Sequence, residues 1–125
     1  MTARPRPVTL IHVVLSKGIM FVEWGAEEVT EENAMTVLAE VCELSAGEAY
    51  PLIFELHGIR TVSYRARKAL AAGPWPATRV AIVANAIVDQ TAAYFFLGRH
   101  PTPCDSRMFV SLPEAMTWVR SCSVP

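Results

Sequence analysis

The run Leu52-Ile53-Phe54-Glu55-Leu56-His57-Gly58, continued by Ile59 to Leu70, constrains the fold of this chain more than any other stretch. A short apolar segment with turn residues behind it has the character of a strand buried on both faces, and Ser63 stands where a helix N-cap belongs. The reading is strand, tight loop, helix. In open α/β sheets, ligands and partners bind at the carboxyl end of such a central strand, because loop amides and the positive helix end point outward there.

The flanking segments supply the rest of an α/β domain. Val8 to Leu15 and Ile19 to Trp24 are rich in Val and Ile and are separated by Ser16-Lys17-Gly18, the pattern of a β-hairpin. Thr30 offers an N-cap with Glu31 and Glu32 in the first turn. Ala34, Val37, Leu38, Val41 and Leu44 then follow at helical spacing, and Gly47 ends the helix. After the central unit, Gly73-Pro74-Trp75-Pro76 stops its helix, and Arg79 to Ala84 forms a second buried strand. Asn85 caps a helix over 86–98 that ends at Gly98. Arg107 to Val110 gives a last strand. Ser111-Leu112-Pro113-Glu114 fits the S-x-x-E capping box and opens a final helix burying Ala115, Trp118 and Val119. The predicted order is β-β-α-β-α-β-α-β-α, an α/β fold whose mixed, mostly parallel sheet is opened by a hairpin and covered by four helices. With 125 residues, no repeat and no linker, the expectation is one domain over 8–122 behind a flexible N-terminal segment, 1–7.

Composition narrows the class. Hydrophobic residues make up 52% and charged residues 18%, too apolar for a disordered chain, yet no run is long enough to span a bilayer. The apolar stretch behind Arg4 and Arg6 alternates in strand fashion and lacks a small-residue cleavage site, so no secretory signal is expected. Cys42, Cys104 and Cys122 show no C-x-x-C spacing. They read as reduced thiols of a cytoplasmic protein, with no metal site.

Charge is distributed unevenly. Nine glutamates and no Lys or Arg lie between Gly18 and Ile59. Arg60, Arg65, Arg67, Lys68 and Arg79 then follow, with no acid between Leu56 and Val88. Two solvated helices of opposite sign would account for this. A basic helix that meets an anion or an acidic protein would do so as well. Nucleic acid is not expected, since the net charge is −1 and no aromatic-basic interleaving occurs.

The segment Ile53 to Leu70 resembles the central signature of STAS domains, the fold of bacterial anti-sigma factor antagonists, in which a strand ending in an acid leads through a glycine turn to a helix opening with Asp-Ser-Ser-Gly. Glu55 takes the strand acid position and Gly58 the turn, while Ser63 stands at the aspartate position and Tyr64-Arg65 where the serines would be. Ser63-Tyr64-Arg65-Ala66-Arg67, Tyr94-Phe95-Phe96-Leu97-Gly98, and Arg107-Met108-Phe109 with Glu114-Ala115-Met116-Thr117-Trp118 are similar to a subgroup of uncharacterised bacterial SpoIIAA-like proteins, from about Thr30 onward. The resemblance implies a STAS-like fold and a non-enzymatic regulatory or protein-interaction module.

On this reading the binding surface draws on His57, Arg60, Ser63, Tyr64, Arg65 and Lys68, with Tyr94 and Arg99 from the later helix and loop. Ser63 is the only conservative candidate for a phospho-switch, although a structural N-cap is the preferred account, and Tyr64 reads as a packing or rim residue. Glu55, Gly58 and Arg67 are assigned structural roles: Glu55 tying down the next loop through amides, Arg67 in an ion pair. No catalytic residue and no cofactor are assigned. There is no G-x-S-x-G elbow, phosphate loop, H-E-x-x-H or dinucleotide fingerprint, and Glu55, His57 and Ser63 lack a small-residue oxyanion loop. Partners are a protein or an anionic ligand, and a homodimer through the hairpin's edge strands remains open. The alternative function is a small-molecule or lipid carrier with an apolar pocket near the 86–98 helix, since the broader SpoIIAA-like relatives resemble lipid-carrying domains in fold.

Overall fold

The hairpin forms where the apolar runs require it. In the computed structural model, which describes residues 9–84 and 105–121, strand β1 (Leu10–Ser16) pairs antiparallel with β2 (Ile19–Gly25). Lys17 and Gly18 both adopt positive φ, 50° and 78°. Two such residues make the type I′ turn whose twist matches that of the flanking strands.

From β2 onward the sheet is parallel. Its order is β1-β2-β4-β6-β7, with β4 (Tyr50–His57) at the centre, β6 (Ala77–Val83) beside it and β7 (Asp105–Phe109) at the far edge. Pro51 lies at the register shift between Tyr50 and Leu52 in the β4–β6 pairing. A residue without an N–H fits a central strand only at such an irregularity.

Two further strands escaped the sequence reading. β3 (Glu28–Val29) and β5 (Thr61–Val62) pair parallel as a separate ribbon beyond the carboxyl ends of β2 and β4. Each has two residues, too few to show a period of two.

Helix α1 (Glu31–Ser45) connects β3 to β4, and α2 (Tyr64–Ala72) connects β5 to β6. Both cover one face, as right-handed crossovers between successive parallel strands dictate. The core beneath them joins Met20, Val22 and Trp24 to Leu52, Phe54 and Leu56 and to Val80 and Ile82, with Val37, Val41, Ala66 and Leu70 from the helices. Phe54 sits at its middle, 6.4 Å from the Trp24 ring centroid and edge-on to Trp75 at 5.4 Å. Burial of each such aliphatic or aromatic side chain contributes about 2–3 kcal/mol.

The apolar stripe assigned to α1 holds at Ala34, Val37 and Val41 and fails at Leu44, which is 43% exposed while Ser45 is buried. At the last turn the helix has drifted past the sheet. The left-handed residue that closes it is Ala46, φ 50°, followed by Gly47 at 87°.

Helix α2 ends at Gly73, whose N–H donates to the Ala69 carbonyl at 3.0 Å. A Cβ at Gly73 would stand 3.0 Å from Leu38 Cδ2, 3.1 Å from Trp75 Nε1 and 3.2 Å from the Ala69 carbonyl oxygen. Glycine therefore sets how closely the end of α2 approaches α1.

Helix α3 (Leu112–Ser121) covers the opposite face and buries Ala115 and Val119 against Ile19, Ile53, Ala81 and Val83. Trp118, expected in the core, is half-buried and carries the Arg79 guanidinium 4.6 Å above its ring, while Arg79 donates to the Trp118 carbonyl at 2.9 Å. The helix expected over 86–98 lies outside the described residues. Among the described residues no helix is long and apolar enough to cross a membrane.

Candidate functional site

The loop between β4 and α2 is stitched to the loop between β2 and α1. Gly58 turns the chain with φ 68°, and Ile59 plugs in at 0% exposure. Arg60 N and Thr61 N both donate to the Glu27 carbonyl, at 2.8 and 3.2 Å, and Ser63 N donates to the Val29 carbonyl at 3.0 Å. The segment leading into α2 is thus held by main-chain bonds before any ligand arrives.

Ser63 caps α2 as the sequence requires. Its extended backbone lets Oγ accept from Ala66 N at 3.1 Å, while Arg67 N donates to the Ser63 carbonyl at 2.9 Å. The hydroxyl is occupied as an N-cap, which satisfies one of the amides that a helix start leaves without an intrahelical partner.

Around the cap the side chains stand outward. Tyr64 is 63% exposed, with Lys68 Nζ 5.0 Å and Arg67 Cζ 5.8 Å from its ring centroid. Arg65 and Lys68 are exposed, and Arg67 is half-buried. Arg60 reaches toward Glu27, 3.6 Å away, an exposed pair contributing under about 1 kcal/mol. Beside it an open depression of about 450 Å³ is lined by Thr9, Glu27, Glu28, Arg60 and Thr61. The first turn of α2 has no acid, and the helix carries exposed Arg65 and Lys68 close to its positive end.

His57 is not part of that tip. It follows Glu55 on the α3 side of the sheet, where its Nε2 lies 3.5 Å from Glu23 and 3.9 Å from Glu55. Glu23 and Glu55 are register partners on β2 and β4, so both carboxylates flank the one imidazole. Glu55 was expected to tie down the next loop through amides. Its contact is this imidazole, and the loop amides are held by carbonyls instead. Ser63 Oγ is engaged at Ala66 N while His57 Nε2 faces Glu23 and Glu55, and no hydrogen bond joins Ser63 to His57 among the described residues. Nor does any group of three or more His, Cys, Asp or Glu among the described residues converge as a metal site. Tyr94 and Arg99 lie outside the described residues.

One cluster went unnoticed in the sequence. Arg79, Trp118, Phe109 and Arg107 form a row across β6, α3 and β7 in which two adjacent rings are flanked by two cations, with Trp118 and Phe109 centroids 5.4 Å apart and Arg107 5.7 Å from Phe109. Its signal, an Arg in each strand with aromatics nearby, is too diffuse to read without the fold.

The hairpin-opened, mostly parallel sheet with its covering helices is an α/β fold of the SpoIIAA-like kind, as the solved structures below show. The chain belongs to the family described as Domain of unknown function (DUF7793), whose model matches residues 13–123. Among solved structures it is similar to an uncharacterized DUF3478-family protein with a SpoIIAA-like fold from Shewanella loihica PV-4. That match has 18% identity and a TM-score of 0.61, over 95% of this chain and 99% of the other. It is also similar to an anti-sigma factor antagonist from Mycobacterium paratuberculosis, with 17% identity and a TM-score of 0.59 over 94% and 99% of the two chains. A comparison with curated proteins found no match. At these identities the likeness establishes the fold.

Proposed function

We propose that this chain is a non-enzymatic regulatory module of the STAS type, acting in the cytoplasm, and that the loop and helix start over 57–68 bind an acidic patch on a protein partner. The observation that carries this reading is the α2 tip. An exposed tyrosine, with Lys68 Nζ 5.0 Å and Arg67 Cζ 5.8 Å from its ring centroid and exposed Arg65 next to it in the chain, opens a helix whose preceding segment is already ordered by main-chain bonds. Tyr and Arg are the side chains that most often dominate protein interfaces, and a pre-ordered loop loses little entropy on docking. The fold shared with an anti-sigma factor antagonist supports a protein partner over a substrate. Phosphate on Ser63 would place negative charge at this tip and oppose an acidic partner.

The test is affinity capture from the native host with the wild-type chain and with Tyr64→Ala/Arg65→Glu. A protein retained by the first and lost by the second, at a melting temperature that is not lowered, supports the reading. Equal retention by both, or turnover of a substrate that Ser63→Ala abolishes, would overturn it. In the same assay Ser63→Asp, which keeps a capping oxygen and adds charge, should weaken capture about tenfold.

A further inference from the structure

Among the described residues the five-stranded sheet has two edges, and they are built differently. β7 carries Asp105 and Arg107, and an antiparallel copy centred on it would set Arg107 against Arg107. β1, Leu-Ile-His-Val-Val-Leu-Ser, has no Lys, Arg, Asp, Glu or Pro, and its pairing with β2 runs without a bulge through all seven residues. Charge, proline, bulging and shortness are the devices within a strand that keep a sheet edge from adding another. β1 has none of them.

We propose that β1 pairs antiparallel with β1 of a second copy about a two-fold axis at Val13, joining two sheets into one. The hairpin fixes the register. In a two-residue type I′ hairpin the closing pair, here Ser16 and Ile19, exchanges both hydrogen bonds, and such pairs recur at every second residue. The main-chain groups of Leu10, His12, Val14 and Ser16 are therefore turned to β2, and those of Ile11, Val13 and Leu15 point away from the sheet. Centring on Val13 sets Val13 against itself and Ile11 against Leu15. All of the outward groups are used, in about six interchain bonds.

The side chains agree with that register. Ile11, Val13 and Leu15 flank the core under α1, and in the pair they continue that apolar stripe across the axis. On the other face Leu10 and Val14, 50% and 37% exposed, meet Ser16 and His12 of the partner subunit. No like charges are opposed. A second copy fits better than an unrelated strand because it supplies this neutral pattern in matching phase, as an isologous contact requires. Strand addition alone buries less than a standard interface, so the dissociation constant should be on the order of 10–100 μM.

Sedimentation equilibrium of the full chain from about 1 to 500 μM, combined with residue-resolved amide exchange, tests this. The expected result is a monomer–dimer equilibrium in which Ile11, Val13 and Leu15 amides exchange several-fold more slowly as concentration rises, while Leu10, His12 and Val14 do not change. Val14→Lys, at an exposed position that leaves the monomer folded by circular dichroism, should raise the dissociation constant at least about tenfold. His12→Lys combined with Val14→Glu, which opposes ammonium and carboxylate twice in this register only, should return it to within about threefold of wild type. A chain that stays monomeric throughout, a dimer indifferent to Val14→Lys, or protection gained away from β1 would each overturn the proposal.

Discussion

Thr30 and Ser63 each open a helix at the same rim of the sheet, directly after β3 and β5, yet the turns they open carry opposite charge. At α1 the Thr30 hydroxyl accepts from Asn33 N at 3.1 Å, the Asn33 side chain accepts from Thr30 N at 3.4 Å, and Glu31 and Glu32 follow. Every element there favours the helix: reciprocal caps and negative charge at the positive end. At α2 Ser63 caps without a reciprocal partner, and the first turn offers Tyr64 and Arg65 and no acid. The α1 start is arranged for stability. The α2 start gives some of that up, and in return keeps its positive end uncompensated toward solvent.

The contrast can be broken most strongly at Ile59, the buried residue that locks the two loops together. Ile59→Ala should cost about 3 kcal/mol in urea unfolding and loosen amide protection at Arg60, Thr61 and Ser63 together. Retained protection there would show that the loops are ordered independently. The caps come next. Thr30→Ala should cost about 1.5 kcal/mol and Ser63→Ala about 1 kcal/mol, because only the first dismantles a reciprocal box; equal losses would erase the distinction drawn between the two starts. The smallest effects have opposite signs. Glu31→Lys should destabilise the fold by about 0.5 kcal/mol, whereas Arg65→Glu should stabilise it by a similar amount while weakening partner capture. A destabilising Arg65→Glu, measured by thermal unfolding at low salt, would mean that Arg65 supports the fold and is not held in reserve for binding.

Much of this was legible from residue types. Lys17-Gly18 announced the hairpin, and Thr30 and Ser63 announced helix starts, because turn and cap chemistry depends on side chains a few positions apart. The apolar run Leu52 to Leu56 located the central strand for the same local reason. The β3–β5 ribbon was not legible, since its pairing joins segments far apart in sequence through main-chain groups that any residue possesses. The placement of His57 was missed because a strand's last residue can be assigned to the loop or to a face, and only the sheet register sets it beside Glu23. Trp118 read as core by helical spacing. What holds it half-exposed under Arg79 is the neighbouring strand, which the spacing does not see.

Gly73 has a consequence for whatever docks at the other end of its helix. A Cβ at Gly73 would stand 3.0–3.2 Å from Leu38 Cδ2, Trp75 Nε1 and the Ala69 carbonyl oxygen, so a side chain at this position would make the packing of the rear of α2 against α1 give way. The seating of α2 is thus set from behind, at the end far from Tyr64. A substitution at Gly73 would be felt along the helix without altering a single residue of the exposed tip.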